Sequence, residues 1–74
     1  MLNTAQKRQL EQELIRTIAQ YPGGIDTRIL IGAVQSRVPA ANRHHIAGML
    51  AWILHAYPCT LCLRTPGGPS VIAP

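Results

Sequence analysis

Three breaks divide this chain and decide what it can fold into: Tyr21-Pro22-Gly23-Gly24, Val38-Pro39-Ala40 and Pro58. Pro22 disfavours helical geometry at Tyr21, and the two glycines after it tolerate left-handed backbone. Pro39 suits a turn or the first position of a helix. Between the breaks apolar residues recur every three to four positions; after Pro58 they alternate. Three stretches with helical spacing and one with strand spacing predict three helices followed by a terminal β-hairpin.

The first helix is expected over about residues 3–20. Asn3 or Thr4 can cap it, and Gln6, three residues after Asn3, completes a capping-box pattern. Leu10, Leu14, Ile18 and Tyr21 form a stripe widened by Ile15, with Lys7, Glu11, Gln12 and Arg16 opposite: an amphipathic helix lying on a core. Lys7 and Glu11 are spaced for an ion pair. The second helix, over about residues 26–36, starts at Asp26, a good N-cap, with Ile25 and Leu30 placed as a hydrophobic staple. Ile29, Leu30, Ala33 and Val34 would supply its inner face. Gly32 costs about 1 kcal/mol relative to alanine there, which predicts a close helix–helix contact at that point. The third helix, over about residues 40–57, is split in character: Asn42, Arg43, His44 and His45 lead, and Ile46, Met49, Leu50, Ile53 and Leu54 follow as a buried stripe.

Beyond Pro58, Cys59, Leu61 and Leu63 alternate with Thr60, Cys62 and Arg64. This reads as a half-buried strand with Cys59 inside and Cys62 more exposed. Residues 65–70, Thr-Pro-Gly-Gly-Pro-Ser, form a turn, and Val71-Ile72-Ala73 a second strand, giving a hairpin over about residues 59–73. Seventy-four residues make one domain at most, and with no Phe the core must come from Leu, Ile, Val, Ala and Met.

The net charge is +4, and all three acids, Glu11, Glu13 and Asp26, lie in the first 26 residues. From Thr27 onward there is no carboxylate side chain, only Arg28, Arg37, Arg43 and Arg64 with His44, His45 and His55. A surface of one sign attracts polyanions at long range; the plain alternative is a basic but inert surface.

In element order, residues 4–20, then 26–36 with 39–57, then 59–73 resemble the winged helix-turn-helix domain: a support helix, a helix-turn-helix pair and a hairpin wing. The resemblance covers nearly the whole chain. It implies an α+β, mainly α fold in a single domain, and double-stranded DNA as the partner, with the third helix in the major groove. On that reading Asn42, Arg43, His44 and His45 would meet base edges or phosphate, and Gly48 would allow close approach of a groove wall. Thr27 and Arg28 would contact phosphates, joined by Arg37 and by Arg64 on the wing. Two positions depart from the family's habit: Tyr57-Pro58 stands where a small residue is common, and the wing tip at residues 66–69 carries no Lys or Arg. The plainer reading of Asn42 is a capping residue at the true start of the third helix.

Other functions leave weaker marks. Cys59-Thr60-Leu61-Cys62, with histidines nearby, has half the spacing of a zinc site, but alternation along a strand would point the two thiols apart. As a redox dithiol the pair stands in the wrong context, after a helix end and a proline. Trp52, on the exposed arc of the third helix, is the candidate anchor of a protein interface, and a homodimer through the first helix or Trp52 fits either function. With no carboxylate after Asp26 and no phosphate-cradling loop, an enzyme is not expected, nor is a cofactor. Neither a secretory leader nor a membrane-spanning run is visible, so a cytoplasmic location is the expectation. The role these readings suggest is a small transcriptional regulator or an accessory protein of a mobile element.

Overall fold

Asn3 opens the first helix in the way its spacing predicts. Its side chain accepts from the Gln6 N–H at 2.8 Å, and Gln6 Oε1 accepts from the Asn3 N–H at 3.0 Å, so two of the orphan amides of a helix start are satisfied reciprocally. The structure is a computed structural model that describes residues 2–64, 67–68 and 70–74. Its elements are α1 (Thr4–Ala19), β1 (Ile25–Asp26), α2 (Thr27–Arg37), α3 (Arg43–Ala56), β2 (Leu61–Arg64) and β3 (Ser70–Ala73). The architecture is α+β and mainly α, with the hairpin at the C-terminal end.

α1 buries Leu10, Leu14 and Ile18, and also Thr17, whose hydroxyl donates to the Glu13 carbonyl at 2.7 Å. The stripe is narrower than expected. Ile15 is left exposed one step round from Leu14, and Tyr21 is exposed in the turn beyond the helix end.

The turn delivers a strand that the sequence did not announce. Gly24 has φ +100°, and a Cβ built there would stand 2.5 Å from Val71 Cγ1, so backbone conformation and close packing both select glycine. Ile25 then pairs with Ile72 and Asp26 with Val71, giving an antiparallel sheet of order β1-β3-β2. Asp26 ends this strand and caps α2, its carboxylate accepting from the Arg28 N–H at 2.8 Å and the Ile29 N–H at 3.4 Å. Ile25 and Leu30, the two staple positions, are both buried.

On α2 the inner face is Leu30 and Val34, with Ile31 partly buried against the core. Ile29, expected inside, is 64% exposed, and Ala33 also faces solvent. Gly32 is not at a helix contact: a Cβ there would meet nothing within 4 Å. The link to α3 is tied down by Val38 and Ala41, both buried, with the Ala41 N–H donating to the Val38 carbonyl at 3.0 Å. α3 therefore begins at Arg43, later than residue 40, and contributes Ile46, Leu50 and Ile53 to the core.

In the hairpin the faces are the reverse of the expectation. Cys62 pairs with Ile72, which is 1% exposed. Ladder partners share a face, so Cys62 and Arg64 lie on the core side and Leu61 and Leu63 on the outer side with Val71. Leu61 and Leu63 are 50% and 53% exposed. Cys59 precedes the strand and is exposed, not buried. The alternation misled because β2 overhangs the sheet edge with all four residues exposed, so neither face is selected by burial. Of the turn expected at 65–70, Thr65, Pro66 and Pro69 lie outside the described residues; Gly67 has φ +71°.

These placements set stability. Gly32→Ala should raise unfolding free energy by about 0.5–1 kcal/mol, because α2 gains helix propensity with no clash. Gly24→Ala should lower it by more than that, through strain and the Val71 contact. Leu14→Ala should cost about 2–5 kcal/mol, whereas Ile29→Ser should stay within about 0.5 kcal/mol. Urea unfolding followed by helical circular dichroism measures all four.

Candidate nucleic-acid interface

The leading end of α3 is built by a second capping box. Asn42 Oδ1 accepts from the His45 N–H at 2.9 Å, and His45 Nδ1 accepts from the Asn42 N–H at 3.2 Å. Asn42 is thus the N-cap of α3. Accepting at Nδ1 requires the neutral imidazole of His45 to carry its proton on Nε2. Two of the four polar residues expected to read DNA therefore hold the helix start together. The Asn42 NH₂ and the His45 Nε2–H make no hydrogen bond among the described residues. The side chains of Arg43 and His44 are exposed and make no hydrogen bond or ion pair among the described residues.

Behind them the exposed arc carries Ala47, Gly48, Ala51, Trp52 and His55. Gly48 is open, with nothing within 4 Å of a Cβ built on it. Trp52 is 55% exposed, and its ring lies 6.3 Å from that of His55, tilted by 42°. It forms a wall of a groove of about 700 Å³ between α1 and α3, opposite Leu2, Lys7, Leu10 and Glu11, with Met49 also lining it. His44, His45 and Gly48 line the same groove. A smaller hollow of about 260 Å³ lies on the α2 side, against Ile31, Arg43, His44 and Ala47. The groove was not foreseen, because its lining comes from two helices and no spacing within either one reveals it.

The remaining candidates have different fates. The Thr27 hydroxyl is 3.1 Å from the Ser70 carbonyl and 2.8 Å from the Ser70 hydroxyl, so it ties α2 to β3. Arg28 is exposed in the first turn of α2, and Arg64 is exposed at the end of β2. Arg37 is exposed and lies 3.8 Å from Glu13, whose Oε2 is buried without a hydrogen bond, so its charge is partly offset by α1.

Each of the three acids has a partner within the fold. Asp26 caps α2 and Glu13 faces Arg37. Glu11 accepts from the Tyr57 hydroxyl at 3.1 Å, and this hydrogen bond to a carboxylate raises the Tyr57 pKa above its ordinary value. Glu11 does not pair with Lys7 as its spacing suggested: among the described residues Arg37–Glu13 is the only ion pair within 4 Å. Lys7, Arg8, Arg16, Arg28, Arg43 and Arg64 are all left without a carboxylate partner among those residues.

Cys59 and Cys62 are free and exposed. Among the described residues no group of three or more His, Cys, Asp or Glu side chains is gathered to hold a metal ion, and no helix is long and apolar enough to cross a membrane. Comparison of the chain with family models, with curated proteins and with solved structures gave no match. Element order and surface chemistry are what bear on function. The cap gives a direct check: Asn42→Ala should lower stability by about 1 kcal/mol in urea unfolding, and Asn42→Asp, which keeps the accepting oxygen, should recover most of it.

Proposed function

We propose that this protein binds duplex DNA in the manner of a winged helix-turn-helix domain, with α3 in the major groove. The observation that carries the reading is the leading end and exposed arc of α3: Arg43 is exposed in the first turn on the α2 side, His44 opens the arc, His55 follows, Gly48 is open, and no carboxylate lies on the helix. α1 behind, a helix pair joined by a five-residue link and a terminal hairpin supply the element order that such a domain needs. Arg43 is the residue suited to guanine, through two parallel hydrogen bonds; His44 and the free Asn42 NH₂ can reach base edges or phosphate. Arg28, in the first turn of α2, is the backbone contact that positions without reading sequence. Thr27, tied to Ser70, acts through the placement of α2, and Arg37, facing Glu13, adds less than its charge suggests. A small transcriptional regulator, or an accessory protein of a mobile element, is the kind of role that fits.

A second reading rests on one observation: Trp52 is more than half exposed at the wall of the apolar groove. A large aromatic beside a hollow is the usual anchor of a protein contact. His44, His45, Gly48 and Trp52 belong to both surfaces, so a protein in the groove and DNA on the arc would compete.

An electrophoretic shift against random-sequence duplex at low and moderate salt separates the two. The DNA reading predicts a shift at low salt that weakens steeply as salt rises. Arg43→Ala should cost about 1–3 kcal/mol of binding and blur sequence preference, whereas Arg28→Ala should weaken all sequences alike. No shift at low salt would leave the Trp52 surface as the working one.

A further inference from the structure

β2 lies at the edge of the sheet, and among the described residues it pairs with β3 alone. Its other side therefore offers a row of open N–H and C=O groups. Proteins usually blunt such an edge with lysine, proline, a bulge or a covering helix. Here the edge reads Leu61-Cys62-Leu63-Arg64, and all four residues are exposed, so nothing described covers it. Leu61 and Leu63 share the outer face and are each about half exposed. The open edge needs a strand as its partner, and the two leucines need that strand to be apolar. The chain carries net charge +4, yet from Cys59 to Pro74 its only charged side chain is Arg64. Two copies would repel each other least at this hairpin.

A second copy satisfies each demand. Adjacent antiparallel strands related by a twofold axis keep the same face outward, and partners across the ladder share a face. A residue of one parity can then pair only with a residue of the same parity, so the axis must pass through a residue and not between two. An axis at Cys62 sets Leu61 against Leu63 of the second copy twice over, with Thr60 opposite Arg64 at the ends. An axis at Leu63 gives one leucine pair and sets Cys62 against Arg64. The first register buries more apolar surface and holds the two arginines apart.

We infer that the hairpin edge is a self-association surface, on which β2 pairs antiparallel with β2 of a second copy about a twofold axis at Cys62, joining the two sheets into one of six strands. The inference does not depend on DNA binding, and it leaves the exposed arc of α3 outside the contact.

The test is sedimentation equilibrium over a range of protein concentration, with a short bis-maleimide as a probe of register. The expected result is a monomer–dimer equilibrium that Leu63→Lys weakens by about tenfold or more, since charge is then placed on a paired edge. Leu63→Lys should keep the helical circular dichroism of the parent, because residue 63 is outside the core. Trp52→Ala should leave dimerisation unchanged. With Cys59→Ser, the remaining Cys62 thiols stand opposite each other at the axis, about 5 Å apart at Cβ, and should cross-link to a covalent dimer. A monomer at every concentration would overturn the inference. So would a dimer indifferent to Leu63→Lys, one lost in Trp52→Ala, or one that Cys62 does not cross-link.

Discussion

Ile46, Leu50 and Ile53 share one buried cluster with Leu10, Leu14 and Leu30, and this burial fixes the rotation of α3 about its axis. Full burial of an aliphatic side chain of this size is worth about 1.5–3 kcal/mol, far more than any exposed polar contact on the same helix. Once those three residues are inside, His44, Gly48, Ala51, Trp52 and His55 are necessarily outside, while Arg43, seven residues before Leu50 and so on its side of the helix, is exposed because it stands in the first turn. The chemistry that α3 can offer a partner is thus a consequence of core packing. The capping box at Asn42 and His45 adds the second constraint, because it sets where the helix starts and which of its polar groups are already spent.

Electrostatics adds to what packing leaves exposed. Each of the three acids is engaged within the fold, by capping, by an ion pair or by a phenol, and none lies on α3. Positive charge at Arg28 and Arg43, like that of Lys7, Arg8 and Arg16 on α1, has no carboxylate partner among the described residues, and beside an acid-free α3 it suits a polyanion. The apolar groove beside Trp52 and the open edge of β2 suit proteins instead. DNA on the arc of α3 and a second copy on the edge of β2 use different elements and are compatible, whereas the groove and the arc share His44, His45, Gly48 and Trp52.

What could be read from sequence was what local chemistry determines. Asn3 with Gln6, Asp26 with Ile25 and Leu30, and the proline breaks placed the elements because each acts through neighbours a few residues away. The alternative role of Asn42 as a cap was legible for the same reason. β1 was not, since two residues cannot display an alternation and its pairing with β3 spans most of the chain. The faces of β2 were misread because alternation at an unburied edge carries no information about which side is inside. Ile29 and Gly32 were misassigned by treating every apolar or small residue on α2 as inward. The groove needed the relative placement of α1 and α3, which no single helix records.

Amide chemical-shift mapping at low salt, on adding a short duplex DNA, tests the central claim most directly because it reports where contact occurs as well as whether it does. The account predicts that the largest shifts fall at Arg43, His44, Gly48 and the first turn of α2 around Arg28, fading as salt is raised, while Leu10, Leu14 and the hairpin stay still. Shifts confined to the hairpin or to the α1 wall of the groove, or no shifts at all at low salt, would contradict it.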